Sequence, residues 1–157
     1  MEEKTNVMRL LDKEKINYKA HYYNNTEAIS GMEVTSVLNQ DPHKVFKTLV
    51  TVAKSNEHYV FVVPVNCELD LKKAAKAVNE KNLEMLKQKD LLPLTGYIHG
   101  GCSPIGMKKK FKTVFDITAS SFDTIMFSAG KIGYQVELNV FDIKNLVEYK
   151  LEDIISD

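Results

Sequence analysis

Two short segments carry residue types that can do chemistry together. Phe46-Lys47-Thr48-Leu49 sets one lysine inside an apolar strand pattern, and Thr95-Gly96-Tyr97-Ile98-His99-Gly100-Gly101-Cys102-Ser103-Pro104-Ile105-Gly106 is a glycine-rich loop able to expose backbone amides. A cation beside a bed of peptide N–H groups suits a negatively charged ligand or an ester carbonyl. On a strand Lys47 shares a face with Val45, Leu49 and Thr51, while Phe46, Thr48, Val50 and Val52 take the other. Neither face is freely polar, so the lysine either snorkels to an edge or meets an anion, because burying an unpaired ammonium costs several kcal/mol. In the loop, Gly100-Gly101 and Gly106 bracket Ser103-Pro104. Proline holds its own φ and pushes Ser103 to an extended conformation, and glycine admits close approach to the backbone. An oxyanion hole of amides is built this way, each donor giving ~3 kcal/mol to a transition state; a plain turn has the same composition.

Other constellations lead nowhere. Phe127-Ser128-Ala129-Gly130-Lys131-Ile132-Gly133 resembles a phosphate loop, but such a loop needs Ser or Thr after its lysine and Ile132 stands there. It reads as a tight turn between strands, with Ser128 facing a site. His21, His43, His58 and His99 form no metal pattern, and His99-x-x-Cys102 is a lone pair of ligands without a second pair, so no metal and no cofactor is expected. Nothing places a base beside Cys102 to make it a nucleophile.

The elements that must position these residues are legible. Thr5 caps a first helix with Val7, Leu10, Leu11 and Lys15 on one face, and Ile16 to Tyr23 reads as a strand. Ser30 and Glu33 make a capping box for a second helix with Val34, Val37 and Leu38 as its buried stripe. Val45 to Ala53 and Tyr59 to Val65 read as a hairpin. Asp70 caps a helix bearing Leu71, Ala74, Ala75 and Val78, and a short amphipathic piece with Leu83, Leu86 and Leu91 runs up to Pro93. Thr113 to Ile117, Thr124 to Ser128 and Gly133 to Val140 are three further strands, and Asp142 to Tyr149 is a final helix. Strands and helices do not alternate regularly, so an α+β domain around a mixed sheet is expected.

The bulk numbers bound the rest. At 157 residues and 44% hydrophobic, the chain has the size of one domain, 1–157, without repeat or linker. Lys+Arg of 21 against Asp+Glu of 21 leaves no net charge, so nucleic acid contact must be local and DNA binding is not expected. The one basic run, Lys108-Lys109-Lys110-Phe111-Lys112, follows the glycine loop, as a site for phosphates or as a solvated turn. No apolar run approaches the roughly 18 residues that span a bilayer, and Met1-Glu2-Glu3-Lys4 is unlike a signal peptide, so a cytoplasmic protein with no membrane partner is expected. Cys67 and Cys102 then read as reduced thiols.

Taken together, Val45-Phe46-Lys47-Thr48-Leu49-Val50, Leu94-Thr95-Gly96-Tyr97-Ile98, Gly100-Gly101-Cys102-Ser103-Pro104-Ile105-Gly106 and Ser128-Ala129-Gly130-Lys131 resemble, in order and spacing, the signatures of the YbaK/EbsC family, related to the editing domain inserted in bacterial prolyl-tRNA synthetase. The resemblance runs from about Val7 to Ile154. It implies a mixed, strongly curved β-sheet flanked by helices, and trans-editing: hydrolysis of the ester joining a wrong amino acid to a tRNA, chiefly cysteine on the proline tRNA, at the aminoacyl-tRNA acceptor end and with help from prolyl-tRNA synthetase. The nearest alternatives are an Ala-tRNA(Pro) deacylase and a non-catalytic module binding a nucleotide or acceptor end. By the same resemblance Lys47, Gly100 and Gly101 serve catalysis, and Tyr22, Tyr23, Thr48, Cys102, Ser103, Pro104, Ser128 and Gly130 serve substrate binding. The family uses neither metal nor protein nucleophile; for a cysteinyl ester the substrate's own thiol can attack, an intramolecular route with an effective molarity of ~10⁵ M or more. Two positions depart from the pattern: Gln135 stands where some relatives carry an acid, and Cys102 where a small aliphatic residue is common.

Overall fold

The computed structural model describes residues 3–157; Met1 and Glu2, part of the segment read for a signal, lie outside them. Local chemistry starts the helices as expected. The Thr5 hydroxyl accepts from the Met8 amide at 3.2 Å to begin α1 (Asn6–Lys13), which buries Val7, Met8 and Leu11. Lys15 is not on that helix; it turns the chain with φ of 57° towards β1 (Lys19–Tyr22). The capping box at α2 (Gly31–Leu38) is complete, with Glu33 N–H donating to Ser30 Oγ at 3.2 Å and Ser30 N–H donating to Glu33 Oε1 at 3.0 Å. Its buried side is Val34 and Thr35, with Leu38 packed beside them, and Val37 is 50% exposed against expectation. At 3.6 residues per turn those three span about 100° of the helix surface, and Val37 lies about 60° beyond the edge of that arc.

β2 (Phe46–Val52) and β3 (His58–Pro64) form the predicted hairpin, with Lys47 opposite Val63 and Thr51 opposite Tyr59. Asp70 accepts from the amides of Lys72 and Lys73, both at 3.0 Å, to start α3 (Leu71–Ala77). The leucine-rich piece before Pro93 is two elements, β4 (Glu84–Met85) and α4 (Gln88–Thr95), and Pro93 sits inside the helix instead of ending it. The proline leaves the Lys89 carbonyl without its helical donor, and Lys89 is exposed, so water can supply one. β5 (Lys112–Asp116), β6 (Ile125–Lys131) and β7 (Tyr134–Leu138) follow as expected.

The predicted last helix is absent. Asn139 caps a single 3₁₀ turn, Val140–Ile143, and the chain then forms β8 (Tyr149–Glu152). Tyr149 and Leu151 pack on the core while Lys150 and Glu152 are exposed, a period of two, and the free edge of β5 takes the strand in parallel, Thr113 opposite Tyr149.

The class is α+β with a mixed sheet, but the strands divide into two sheets: β1-β7-β6, antiparallel, and β4-β2-β3-β5-β8, mixed. One parallel bridge, Val45 to Met126, ties them. Between them Phe46, Val50, Val60, Val62 and Phe115 meet Phe127, Val136 and Leu138, with α1 closing the end. On the outer face of the larger sheet Phe61, Val63 and Val114 pack on Ala74 and Ala75 of α3. Both faces of β3 are therefore dry, which is why it reads as an unbroken apolar run. Among the described residues no helix is long and apolar enough to cross a membrane.

Candidate functional site

Where β2 begins, beside the bridge to β6, a cavity of about 280 Å³ opens. Lys47 and Thr48 project from opposite faces of the strand, yet both line it because the sheet ends here. The N-terminal turn of α2 supplies a second wall through Ile29, Ser30, Gly31 and Met32, and the glycine loop a third through His99, Gly100 and Cys102. Tyr23, Phe127, Ser128 and Gln135 complete it. Lys47 and Gly100 thus share one cavity, the juxtaposition on which the sequence reading depended.

The polar groups are poised for something else to bind. Lys47 is half-buried and, among the described residues, joins none of the ion pairs of the fold. The Thr48 hydroxyl oxygen is buried without a hydrogen-bond partner, a deficit of roughly 1–3 kcal/mol that a ligand can relieve. The first-turn amides of α2 add partial positive charge, offset in part by Glu33, whose carboxyl is held below its usual range by the Ser30 and Ile29 amides. Among the described residues no carboxylate lines the cavity. At its base Gln135, 3% exposed, and Gln40 exchange two amide hydrogen bonds of 2.7 and 3.2 Å, a neutral pair.

Five of the expected site residues lie outside this wall. Tyr22 packs edge-on against Tyr134, 5.5 Å between ring centroids, in the main core. The Gly101 amide donates to the Ile98 carbonyl at 3.0 Å, so it is spent inside the loop. Ser103 is fully buried and its hydroxyl accepts from the Ile105 amide at 3.3 Å. Pro104, also buried, borders a different groove. Gly130 admits the Tyr97 ring: a Cβ there would sit 2.9 Å from the ring edge, and the Tyr97 hydroxyl donates to the Ile105 carbonyl, which braces the loop. Ser128, which does line the cavity, accepts from the Gly130 amide at 3.1 Å and keeps its own proton free to donate. The α2 turn, Phe127 and the Gln40–Gln135 pair escaped sequence reading; the Ser30 capping box located the helix start but not what it faces.

Cys102 lines the cavity without the chemistry of a nucleophile. Burial pushes its thiol up to about 12 from 9.0, a thiolate fraction at neutral pH roughly a thousandfold below that of an ordinary thiol. In native protein at mildly alkaline pH we expect iodoacetamide to modify the half-exposed Cys67 at least tenfold faster than Cys102, read by mass spectrometry of the peptides; equal rates would contradict the burial of Cys102.

The strand-bound lysine, the glycine loop and the two-sheet α+β scaffold define an aminoacyl-tRNA editing module, and the chain belongs to the aminoacyl-tRNA editing domain family, whose model matches residues 26–146. A protein of Enterococcus faecalis (strain ATCC 700802 / V583), provisionally named Cys-tRNA(Pro)/Cys-tRNA(Cys) deacylase EbsC, is 44% identical over 156 residues, covering 99% of this chain and 95% of that one. The fold is also that of the hypothetical protein APE2540, with a TM-score of 0.87 at 15% identity over 96% of this chain and 99% of that one. A solved structure provisionally described as a trans-editing enzyme for prolyl-tRNA synthetase gives a TM-score of 0.81 at 19% identity, over 96% and 95% of the two chains.

Proposed function

We propose that this protein is a trans-editing deacylase that removes a mischarged amino acid from tRNA, with Cys-tRNA(Pro) as its leading substrate. The observation that carries the reading is the Lys47 ammonium, outside every ion pair among the described residues, sharing one cavity with Thr48, Gly100 and Ser128. At about 280 Å³ the space sits at the small end of ligand pockets, in keeping with an aminoacyl group and part of its ribose. Family membership and the name of the E. faecalis relative support the same substrate class.

In this reading Lys47 holds the anionic or ribose end of the acceptor terminus, and the Gly100 segment with Ser128 surrounds the aminoacyl carbonyl. The substrate thiol, giving up its proton, attacks its own carbonyl; an S–C bond forms, the ester C–O bond breaks, and the ribose oxygen takes a proton. Water opens the cyclic thioester afterwards. A thiol tethered to its carbonyl needs no protein nucleophile, which accords with the inert Cys102, and the protein's task is to orient and to stabilise developing charge. The reaction belongs in the cytoplasm, beside a prolyl-tRNA synthetase that makes the error.

The test is ester loss from cysteinyl-, alanyl- and prolyl-tRNA(Pro). Cysteinyl-tRNA is expected to be cleaved fastest. Preference for the alanyl ester would move the assignment within the class, since pocket volume separates small side chains by only about 1–3 kcal/mol per methylene. No acceleration of any of the three would make the protein a binding module, in line with the neutral Gln135.

A further inference from the structure

On the other side of the glycine loop lies a second concavity, of about 710 Å³. The two share that loop as a wall: Cys102 lines the cavity and Pro104 the groove, so their Cα atoms are at most about 7 Å apart along the chain. Lys109, Lys110, Lys112 and Lys144 line the groove against a single acid, Glu148. All four lysines are exposed and, among the described residues, none joins an ion pair. In a chain with 21 acidic and 21 basic residues this is a local segregation of charge. Phe141, 48% exposed, lies beside it with the Lys144 ammonium 5.5 Å from its ring centroid.

We propose that this groove carries the RNA backbone of the substrate just inward of its terminal nucleotide, with the four lysines on phosphates and Phe141 offered as a stacking surface for an unpaired base. The inference rests on the deacylase reading for which RNA is bound, but not on cleavage itself. Spacing supports it. Lys112 pairs with Tyr59, which faces Thr51, four residues along β2 from Lys47; with two strands crossed, Lys47 and Lys112 lie ~16 Å apart at their Cα atoms. That distance suits a strand whose 3′ end is held at Lys47 while its next nucleotides pass the groove. A positively charged concavity with an adjacent exposed aromatic is how single strands are held without sequence readout.

Four phosphate contacts set the expected numbers. Binding of uncharged, fluorescently labelled tRNA(Pro) should fall with a log–log salt slope of about −3, or about 50-fold between 50 and 200 mM salt. The variant Lys109→Ala/Lys110→Ala/Lys112→Ala/Lys144→Ala should bind at least tenfold more weakly at low salt, with a slope of about −1 or shallower. If its melting midpoint drops, Lys109→Ala/Lys110→Ala replaces it, with half the slope change expected. Binding within twofold of wild type would overturn the proposal, and so would an equal loss per charge removed in Lys72→Ala/Lys76→Ala on α3. Cleavage of cysteinyl-adenosine, too short to reach the groove, separates the two claims. A wild type that cleaves neither this ester nor cysteinyl-tRNA but loses tRNA binding with the lysines keeps the groove and loses the deacylase; intact cleavage with unchanged binding does the reverse.

Discussion

Replacing Lys47 with alanine is expected to lower kcat/KM for cysteinyl-tRNA(Pro) by at least 100-fold. Among the described residues no other lysine or arginine lines the cavity, and Lys47 spends its charge on no internal partner. Groups aimed at developing negative charge in such sites contribute roughly 10²–10³ in rate. The same substitution removes a half-buried, unpaired ammonium whose neighbours on its strand are Phe46, Thr48 and Leu49, so it should leave stability unchanged or raise it. In a chain of this size a gain of 1 kcal/mol would move the melting midpoint by about 2–4 °C. Loss of rate with a level or higher midpoint is what a binding cation predicts. Lys47→Met, which keeps the stem and deletes the charge, should behave alike. A rate within threefold of wild type in both variants would remove the lysine from the mechanism, and a falling midpoint in both would make its role structural.

The parts of the molecule that sequence disclosed are those fixed by neighbours along the chain. The Ser30–Glu33 box, the Asp70 cap and the β2–β3 hairpin each close within a few residues, and each forms as expected. β8 failed because its conformation is decided by the vacant edge of β5, remote in sequence, while Asp142 to Tyr149 taken alone has helical spacing. The division into two sheets was equally invisible, since the strands are the same in either arrangement and only their pairings differ. At the site, Lys47 and Gly100 could be matched by type: one is a misplaced charge, the other a residue without a side chain. Ile29, Met32 and Phe127 announce nothing locally; they face the cavity because α2 and the β6–β7 pair are folded over β2. Gly101 looked equivalent to Gly100, and only its hydrogen bond to Ile98 tells them apart.

That difference sets the second large effect. Gly100 has a φ of +88°, where an L side chain costs about 1–2 kcal/mol, and a Cβ there would sit 2.8 Å from Ile29 Cγ2. Ile29 is the yielding partner: it is 48% exposed and the contact is with the end of its side chain, but it also lines the cavity beside α2. Relief of the clash therefore moves either Ile29 or the loop carbonyls and amides within the site. Misplacement of about 1 Å in a positioned site can cost 10²-fold. Gly100→Ala is accordingly expected to lower kcat/KM by about 10–100-fold while lowering stability by about 1–2 kcal/mol. Gly101→Ala presses instead on the Ile132 backbone nitrogen at 3.2 Å, which cannot rotate away, and its own amide is already spent. Its loss should appear mainly in the melting midpoint, with a rate effect at least threefold smaller than that of Gly100→Ala when both are measured well below their midpoints. Equal rate losses in the two variants would mean that the loop acts as a rigid block and that Gly100 has no place of its own at the carbonyl. Full activity in Gly100→Ala would mean that the substrate never approaches that stretch of backbone.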